Sequence, residues 1–344
     1  MTEAVLGLDE LIDRDQRAIG CPYPIFSRLR DESPVYFSDK LGAWVCTRYD
    51  DVLAVLHDTE AFSSRMPTGP SDLATVMADA MAELQHEPAM AAVFEKALSQ
   101  RGQAAVLLNA DPPEHRRQRK LVNGAFRPSR LRAMEPTIVE VTERLLDDVT
   151  PSGSMEVVAD FAVGLPMTII AYALGVADDD LSRFKRWSDD LVMPVGNASP
   201  SVDQVRAYLI STTEFTEYFS EKLAACRAAP GDDIVSDVAN AELDGGRLSL
   251  PEMLSMLQQF LVAGNETTTK LITNMVYRLA VQPELQDELR ADPSLVEGFV
   301  EETLRYEAPV GGLFRQAKVD TVVGGQAIAA GEHVWVLYAA ANRD

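Results

Sequence analysis

The chain has 344 residues, of which 47% are hydrophobic, and its formal net charge is −22. So acidic a chain is a poor general partner for nucleic acid or an anionic membrane surface. No apolar run reaches transmembrane length without polar interruption, and the N-terminus has no basic segment followed by an apolar one. We therefore expect a cytoplasmic protein without membrane insertion. Cys21, Cys46 and Cys226 are isolated, which indicates buried structural thiols and neither a disulfide framework nor a zinc site.

The first third of the chain predicts short helices around one β-hairpin. Residues 22–30 follow a proline turn and predict a helix, and residues 50–57 predict another. The β-rich runs at 35–37 and 43–48 flank a short turn, which predicts a hairpin. Residues 66–103 are rich in methionine and alanine, a composition that we interpret as adaptable packing.

Residues 111–120 combine a helix start with a basic cluster. Asp111 is predicted to be the N-cap, followed by two prolines and Glu114 in the first turn. His115 and Arg119 are four residues apart and therefore share a helix face. A solvated helix face is the usual explanation of a charge run. The functional interpretation is a His/Arg pair that binds a carboxylate or phosphate through charge-assisted hydrogen bonds.

The longest apolar pattern runs from Ser249 to Val281. Ser249 followed by Glu252 predicts a capping box, and Pro283 follows the end of the pattern. Its apolar residues cover more than one face, which predicts a helix buried on all sides. At 1.5 Å per residue this helix would be roughly 48 Å long.

The middle of that helix, residues 260–269, is poorly suited to a helix. A glycine, an asparagine and three threonines together cost about 3 kcal/mol relative to alanine. One interpretation is a buried helix in which small residues allow close packing and threonines bond back to the preceding turn. The other is that the Thr267 hydroxyl competes for the Ala263 carbonyl and produces a local kink or π-like bulge. A polar groove beside Glu266 would then hold water and relay protons.

The last third predicts helices between residues 284 and 308 and then a β-like region. Glu302 and Arg305 have the spacing of a surface ion pair, worth a few tenths of a kcal/mol. Arg315 stands at the head of the β-like region, and the sequence Ala-Asn-Arg-Asp occupies positions 341–344. The chain contains no H-E-x-x-H, no G-x-S-x-G and no phosphate loop.

The order of these motifs resembles that of the bacterial, soluble cytochromes P450, the haem-thiolate monooxygenases. The motifs are Asp-Pro-Pro-Glu-His-x-x-x-Arg, Ala-Gly-x-Glu-Thr-Thr in a long helix, Glu-x-x-Arg, an arginine in a β segment, and Ala-Asn-Arg-Asp. The resemblance covers residues 22–344. It implies one domain over residues 1–344, mainly α with a small β region, with the family's prism fold. Haem b would lie between two central helices.

The resemblance also implies roles for individual residues. Glu266 and Thr267 match the family's acid–alcohol pair, which delivers protons during oxygen activation. Glu302 and Arg305 match a buried structural pair that holds the haem-binding core. The residues implied to bind or contact haem are His115, Arg119 and Arg315 at its propionates and Ala263, Gly264 and Thr268 near its distal face.

The implied reaction inserts one oxygen atom of O₂ into a C–H bond of an apolar small molecule, such as a lipid, steroid or terpenoid. Electrons would come from NAD(P)H through a reductase and a ferredoxin, and the protein is expected to be a monomer. Arg116, Arg117 and Lys120 are predicted to offer an acidic ferredoxin a docking patch. The segments predicted to line the substrate pocket are parts of 66–103, 193–200, 260–263 and 310–314.

One departure from the family pattern concerns the axial cysteine ligand, which lies in a loop before the family's last helix. That loop would follow Asp344, and none of the three cysteines has such a context, so this chain supplies no predicted metal ligand. We expect a fragment that lacks the haem loop and last helix and is inactive alone. Two alternatives are a non-catalytic binding or scaffold protein on a degenerate fold, supported only by the missing cysteine, and a peroxide-using relative. The Glu266–Thr267 pair disfavours the second.

Overall fold

The structure is a computed structural model that describes residues 6–65, 73–99, 104–194, 200–243 and 246–344. Within these ranges the chain is mainly helical with a small β region, as predicted. The helices are α1 (Leu8–Ile12), α2 (Gln16–Gly20), α3 (Tyr23–Glu32), α4 (Tyr49–His57), α5 (Leu73–Leu84), α6 (Ala91–Ser99), α7 (Glu114–Ala125), α8 (Pro128–Val149), α9 (Gly164–Ala173), α10 (Leu181–Leu191), α11 (Val202–Ala228), α12 (Ile234–Asn240), α13 (Leu250–Val281), α14 (Pro283–Ala291), α15 (Val296–Tyr306) and α16 (Tyr338–Ala341). The strands are β1 (Val35–Ser38), β2 (Ala43–Cys46), β3 (Phe62–Ser63), β4 (Glu242–Leu243), β5 (Gly246–Arg247), β6 (Leu313–Ala317), β7 (Thr321–Val323), β8 (Gln326–Ile328) and β9 (His333–Val336).

The chain divides into two compact units. Met1–Pro70 and Asn274–Asp344 form one, which we call the terminal unit, and Ser71–Thr273 form the other, the central unit. Helix α13 therefore begins in the central unit and ends in the terminal unit. The prediction of one domain over residues 1–344 stays a prediction.

The terminal unit contains a five-stranded sheet with the order β1-β2-β9-β6-β3. The predicted hairpin is confirmed, because β1 and β2 pair antiparallel with Val35 opposite Cys46. Strand β9 pairs parallel with β2 and antiparallel with β6, so the middle of the sheet joins the beginning of the chain to its end. The buried side chains beneath it include Val35, Cys46, Val52, Phe62, Val334 and Val336.

A cation between two aromatic rings also joins distant parts of the terminal unit. The guanidinium carbon of Arg343 lies 3.1 Å from the ring centroid of Tyr23 and 3.5 Å from that of Tyr306. The two rings are stacked, with centroids 6.4 Å apart. Arg343 Nε also donates to the Tyr306 carbonyl at 2.8 Å. Cation–π contacts of this kind contribute about 0.5–2 kcal/mol each, so Arg343 fastens α3 to α15.

The core of the central unit is built on aromatic residues of α10 and α11 and on the first half of α13. The Trp187 ring meets Phe215 edge-on, with centroids 6.0 Å apart, and its indole N–H donates to Glu214 Oε2 at 2.9 Å. Aromatic pairs in this geometry add to the stabilisation that burial alone provides. The fully buried side chains of this core include Phe184, Trp187, Phe215, Phe219, Met253, Met256 and Leu257.

Helix α13 has the predicted start and length. The Ser249 N–H donates to Glu252 Oε2 at 2.8 Å and the Glu252 N–H donates to Ser249 Oγ at 3.4 Å, which completes the capping box. The prediction that the helix is buried on all sides is wrong, because its buried residues end at Asn265 and Tyr277 is 59% exposed. An apolar sequence pattern reports side-chain chemistry, whereas burial also requires a neighbouring element on each face.

We expect the capping box to make stability depend on pH. Burial raises the pKa of the Glu252 carboxyl, but the Ser249 donors and the Arg117 cation outweigh this and hold that pKa below its ordinary value. Glu252→Ala should lower the free energy of unfolding by about 1 kcal/mol at pH 7. Because the pKa of Glu252 is lower in the folded protein than in the unfolded chain, its carboxylate stabilises the fold at pH values above the unfolded-state pKa. This stabilisation is lost as the pH falls through the folded-state pKa.

Urea unfolding at neutral pH and at about pH 3, below the ordinary Glu range, would measure this effect. The gap between the wild-type protein and Glu252→Ala should shrink at the lower pH. The control is Glu143→Ala, which removes an exposed glutamate of α8 and should change stability little at either pH. A gap that stays the same size at both pH values would contradict the assignment.

Candidate functional site in the central unit

Helix α7 begins later than its sequence predicts. It starts at Glu114 with Pro113 as the N-cap, so the prediction that Asp111 is the N-cap is wrong. An N-cap side chain needs an N–H to accept from at the second or third helical position. Proline has none, and with Asp111 as the cap Pro113 would be the second helical residue, which would leave only the Glu114 N–H. The Asp111 carbonyl oxygen accepts from the His115 N–H at 2.9 Å.

One face of α7 carries His115, Arg119, Val122 and, directly after the helix, Phe126, at spacings of four, three and four residues. The Phe126 ring meets the Phe260 ring of α13 edge-on, with centroids 5.5 Å apart. Over the part of the chain that the structure describes, neither the His115 ring nor the Arg119 guanidinium forms a side-chain hydrogen bond or ion pair. These two groups can therefore bind an anion.

A matching stripe of α13 consists of Phe260, Ala263 and Thr267, at spacings of three and four residues. Ala263 is exposed, so between Phe260 and Thr267 this stripe presents nothing larger than a methyl group. Because Phe260 belongs to this stripe and Phe126 to the α7 stripe, their contact joins the two faces. The central unit thus has an apolar surface with a hydroxyl on α13 and two basic groups on α7.

The Thr267 hydroxyl donates to the Ala263 carbonyl at 2.8 Å, which confirms the predicted bond to the preceding turn. The predicted π-like bulge is not formed, since residues 250–281 are α-helical throughout. A single hydroxyl hydrogen can serve one strong acceptor, so Thr267 Oγ1 is left as an acceptor. It can receive a hydrogen bond from a water or a bound group without leaving its rotamer.

Glu266 has a cationic partner that was not predicted. Its Oε1 lies 3.0 Å from Lys270 Nζ, and the two side chains are 46% and 51% exposed. Glutamate four residues before lysine is the favourable order for a helical pair, so the spacing alone could have revealed it. The carboxylate is consequently half-exposed beside a lysine and is not enclosed in a polar groove.

Gly264 and Thr268 lie beside this stripe. A Cβ added to Gly264 would stand 3.4 Å from Ile170 Cγ1 and Cδ1, at the limit of ordinary van der Waals contact, so α13 packs beside Ile170 of α9 at this position. Thr268 is half-buried. The predicted roles of Ala263, Gly264 and Thr268 toward a cofactor stay predictions.

Arg315 belongs to the terminal unit, where it lies on β6 opposite Val334 of β9. Its guanidinium donates to the Phe314 carbonyl at 2.9 Å and also approaches the Tyr338 hydroxyl. Burial raises the pKa of Tyr338, and the nearby Arg315 opposes that rise. Arg315 is half-buried, and its predicted role at a propionate stays a prediction.

Glu302 and Arg305, also in the terminal unit, form the predicted ion pair through two hydrogen bonds of 2.7 and 2.8 Å. The expectation that the pair is buried is wrong, because the Glu302 and Arg305 side chains are 59% and 47% exposed. Arg305 also donates to the Asn342 carbonyl and so ties α15 to the segment after α16.

The cysteines do not contribute to this surface. Cys46 and Cys226 are buried, and burial raises the pKa of the Cys46 thiol to about 12, so it stays protonated at neutral pH. Cys21 is exposed, which corrects the prediction that all three thiols are buried. The described residues contain no group of three or more His, Cys, Asp or Glu side chains arranged to hold a metal ion.

Comparison with known proteins identifies the family. The family model for Cytochrome P450 matches residues 61–344. Cytochrome P450 107B1 of Saccharopolyspora erythraea is 36% identical over 325 residues, which are 93% of this chain and 74% of that protein. The solved structure of cytochrome P450 CYP109Q5 from Chondromyces apiculatus superimposes with a TM-score of 0.79 at 34% identity, covering 98% of this chain and 78% of that chain. CYP109E1 from Bacillus megaterium, solved in complex with testosterone, gives 0.77 at 30% identity, covering 94% and 77%.

The chain belongs to the cytochrome P450 family, whose members are haem b monooxygenases and therefore oxidoreductases. The resemblance drawn from the motifs is confirmed, and with it the mainly helical fold class. None of the described helices is both long and apolar enough to cross a membrane.

The surface of the central unit fits such a cofactor. Haem carries two carboxylates on a flat apolar ring. His115 and Arg119 are a pair of basic groups suited to carboxylates, and Arg can bind a carboxylate with two parallel hydrogen bonds. The exposed Ala263 lets a flat group approach the α13 backbone.

Proposed function

We propose that this monooxygenase inserts one oxygen atom of O₂ into a C–H bond of an apolar small molecule of steroid-like or terpenoid-like chemistry. The observation that carries this proposal is the stripe of α13 from Phe260 through Ala263 to Thr267, joined to Phe126. Within this stripe the exposed Ala263 offers a substrate an apolar contact and the half-buried Thr267 a single hydroxyl, and apolar walls with few polar groups are typical of small-molecule sites. The testosterone complex of CYP109E1 supports the steroid class.

In this proposal haem supplies the oxidising chemistry, and the protein binds, orients and delivers protons. His115 and Arg119 hold the cofactor carboxylates, and Ala263 lets its flat face lie close to α13. The exposed ion pair between Glu302 and Arg305 supports the core by tying α15 to the segment after α16.

Thr267 and Glu266 are proposed to handle the protons. Thr267 Oγ1 accepts a hydrogen bond because its own hydrogen is engaged by the Ala263 carbonyl, and it can thereby hold a water in place. The half-exposed Glu266 carboxylate can take a proton from solvent and pass it to the Thr267 side of the helix. Its ion pair with Lys270 must open for this transfer. Exposed ion pairs of this kind are worth only about 0.3–0.5 kcal/mol, so the opening is cheap.

The electrons are proposed to come from NAD(P)H through a ferredoxin. The predicted docking patch needs one correction, because Arg117 is not a free cation. Its Nη2 lies 2.7 Å from Glu252 Oε1, and the two side chains are only 26% and 19% exposed. Arg117 therefore holds α7 against the start of α13, while the exposed Arg116 and Lys120 stay candidates for docking.

The pocket segments predicted from the sequence are only partly described. Residues 66–72, 100–103 and 195–199 lie outside the described residues, so the assignment of 66–103 and 193–200 to the pocket stays a prediction. Residues 260–263 belong to the central unit, and Phe260 is buried in its core, which leaves Ala263 as the exposed member. Ala263 is therefore the position at which added bulk tests the substrate assignment.

The test is a spectral titration of the full-length, haem-loaded enzyme with testosterone, followed by mass spectrometry of the NAD(P)H-dependent product. We expect saturable binding and a product that is one oxygen atom heavier. Ala263→Phe should weaken steroid binding at least about ten-fold by steric exclusion. The control Ala280→Phe places the same ring at another exposed alanine of α13 and should leave affinity unchanged. Binding of neither steroids nor terpenoids would refute the proposed substrate class.

A further inference from the structure

The side of α13 that lies roughly opposite Thr267 carries a buried amide. Asn265 is 9% exposed, and its Nδ2 donates to Ser188 Oγ of α10 at 2.7 Å. Ser188 is itself 3% exposed. A buried amide without a hydrogen-bond partner destabilises the fold by about 1–3 kcal/mol, so the folded protein strongly favours the bond between Asn265 and Ser188. The bond between Asn265 and Ser188 links α13 to α10 in the same helical turn as the proposed proton-handling residues.

Two neighbouring contacts fix the same stretch of α13. At Gly264 the helix closes on Ile170 of α9. At Thr269 the hydroxyl donates at 3.0 Å to the carbonyl of Ala162, the last residue of a π-helical turn over Val157–Ala162. Contacts on either side of Asn265 therefore hold α13 along its length, while Asn265 itself supplies a directional bond across to α10.

The anchor on α10 is rigid. Trp187, the residue before Ser188, is fully buried and packs against Phe215 and Tyr218 of α11. Asp190 accepts a hydrogen bond from Ser211, which is also fully buried on α11. Ser188 therefore belongs to a helix whose position is set by tight packing and not by α13 alone.

The geometry of the helix relates the bond at Asn265 to the position of the functional face of α13, which carries Ala263 and Thr267. Successive residues are 100° apart, so Asn265 lies 200° from both Ala263 and Thr267, on nearly the opposite side of the helix. A 15° rotation of α13 about its axis would displace the Thr267 Cα by about 0.6 Å at the 2.3 Å radius of the helix. A displacement of about 1 Å at a reacting group can change a rate by about 100-fold.

We propose that Asn265 is a positioning residue, whose hydrogen bond to Ser188 sets the rotation of α13 and thereby the placement of Ala263 and Thr267. This inference rests on the proposed function of Thr267. In this proposal Asn265 itself contacts neither substrate nor cofactor. Helix α10 is the element that fixes the position of the functional face of α13.

Two variants remove the bond from opposite ends. Asn265→Leu replaces the amide by an apolar side chain of similar size, and Ser188→Ala removes only a hydroxyl. We expect each to lower the amount of product formed per NAD(P)H consumed about three- to ten-fold, with KM changed by less than about two-fold, because misplacement acts on the chemical step. The double variant should be no worse than Asn265→Leu, since that variant already removes the bond to Ser188 together with the weaker 3.5 Å contact between Thr269 Oγ1 and Asn265 Oδ1. Ser188→Thr retains the hydroxyl and should restore the ratio.

Hydrogen exchange supplies a readout independent of turnover. Amide exchange of residues 264–270 should accelerate about ten-fold in Asn265→Leu and Ser188→Ala, because the local opening of this turn loses one restraint. The control is Ser211→Ala, which deletes another fully buried hydroxyl of the α10–α11 pair, one whose hydrogen bond goes to Asp190 of α10. It should change neither exchange at 264–270 nor the product ratio.

The outcomes separate this inference from the proposed function. If both variants fold and retain wild-type exchange and product ratio, Asn265 has no positioning role and the inference is wrong. If exchange accelerates but the ratio stays unchanged, while Thr267→Ala still lowers it, the bond restrains α13 without placing Thr267, which also overturns the inference. If Thr267→Ala leaves the ratio unchanged, the proposed function of Thr267 fails instead. Should Asn265→Leu not fold, the smaller Ser188→Ala deletion decides the question.

Discussion

The Thr267→Ala enzyme is expected to keep consuming NAD(P)H and O₂ while about 10- to 100-fold less of that consumption ends in product. The variant removes the oxygen atom that is proposed to accept a hydrogen bond beside Ala263, and with it the group proposed to hold a proton-carrying water in place. Unproductive release of peroxide then competes with the productive step. The ratio of product to NAD(P)H consumed and the yield of peroxide measure this effect together.

The chain offers a closely matched control for this variant. Thr273 lies on the same helix, and its hydroxyl donates to the Thr269 carbonyl at 2.8 Å, the same bond to the preceding turn that Thr267 makes. Thr273→Ala should therefore have the same effect on the helix and none on the product ratio. Thr267→Ser, which keeps a hydroxyl, should recover most of the ratio. Equal ratios in Thr267→Ala and Thr273→Ala would remove Thr267 from the proposed mechanism.

The largest loss of stability is expected from Trp187→Ala. This side chain is fully buried, and the Arg183 guanidinium carbon lies 5.0 Å from the centroid of its ring. Its removal discards the contacts with Phe215 and Tyr218 and leaves Glu214 without the indole N–H that it accepts from. Deletion of a buried aromatic ring costs about 3–5 kcal/mol, a sizeable part of the 5–15 kcal/mol that stabilises a typical protein.

Urea unfolding followed by circular dichroism would measure the loss. Tyr277→Ala is the control, because it also deletes an aromatic ring from a helix but at a position that is 59% exposed. It should change the free energy of unfolding by no more than about 0.5 kcal/mol. A Trp187→Ala protein that unfolds at the same urea concentration as Tyr277→Ala would show that the α10–α11 core tolerates a large cavity.

Local sequence signals predicted the elements that depend on nearby residues. The capping box at Ser249, the length of α13 and the β1–β2 hairpin each require only residues within a few positions of one another. The Thr267 bond to Ala263 belongs to the same class, since the two residues are one turn apart. Such features follow from propensity and periodicity.

The errors arose where the answer depends on distant parts of the chain. The only partly buried second half of α13 and the exposed pair of Glu302 and Arg305 depend on which elements cover each face, and composition does not contain that information. The pairing of Arg117 with Glu252, 135 positions along the chain, likewise could not be read from the basic cluster alone.

The role of Asn265 was predictable from the sequence only in part. A buried asparagine in the middle of an apolar helix requires a hydrogen-bond partner, so its position in the sequence already signals an unusual demand. The identity of that partner, Ser188, is fixed only by the packing of α10 against α13. The family resemblance did not help here, because the Ala-Gly-x-Glu-Thr-Thr motif leaves this position open.

The discontinuous terminal unit has a consequence for synthesis on the ribosome. The central unit is one continuous stretch and can begin to fold as soon as it emerges, whereas β2 must wait for β9, which follows it by roughly 290 residues. At about 5–20 residues per second, that wait lasts about 15–60 s. Throughout it the edge of β2 that β9 later covers is open to strand pairing with other chains. The N-terminal hairpin is therefore the segment of the nascent chain that most needs the protection of a chaperone.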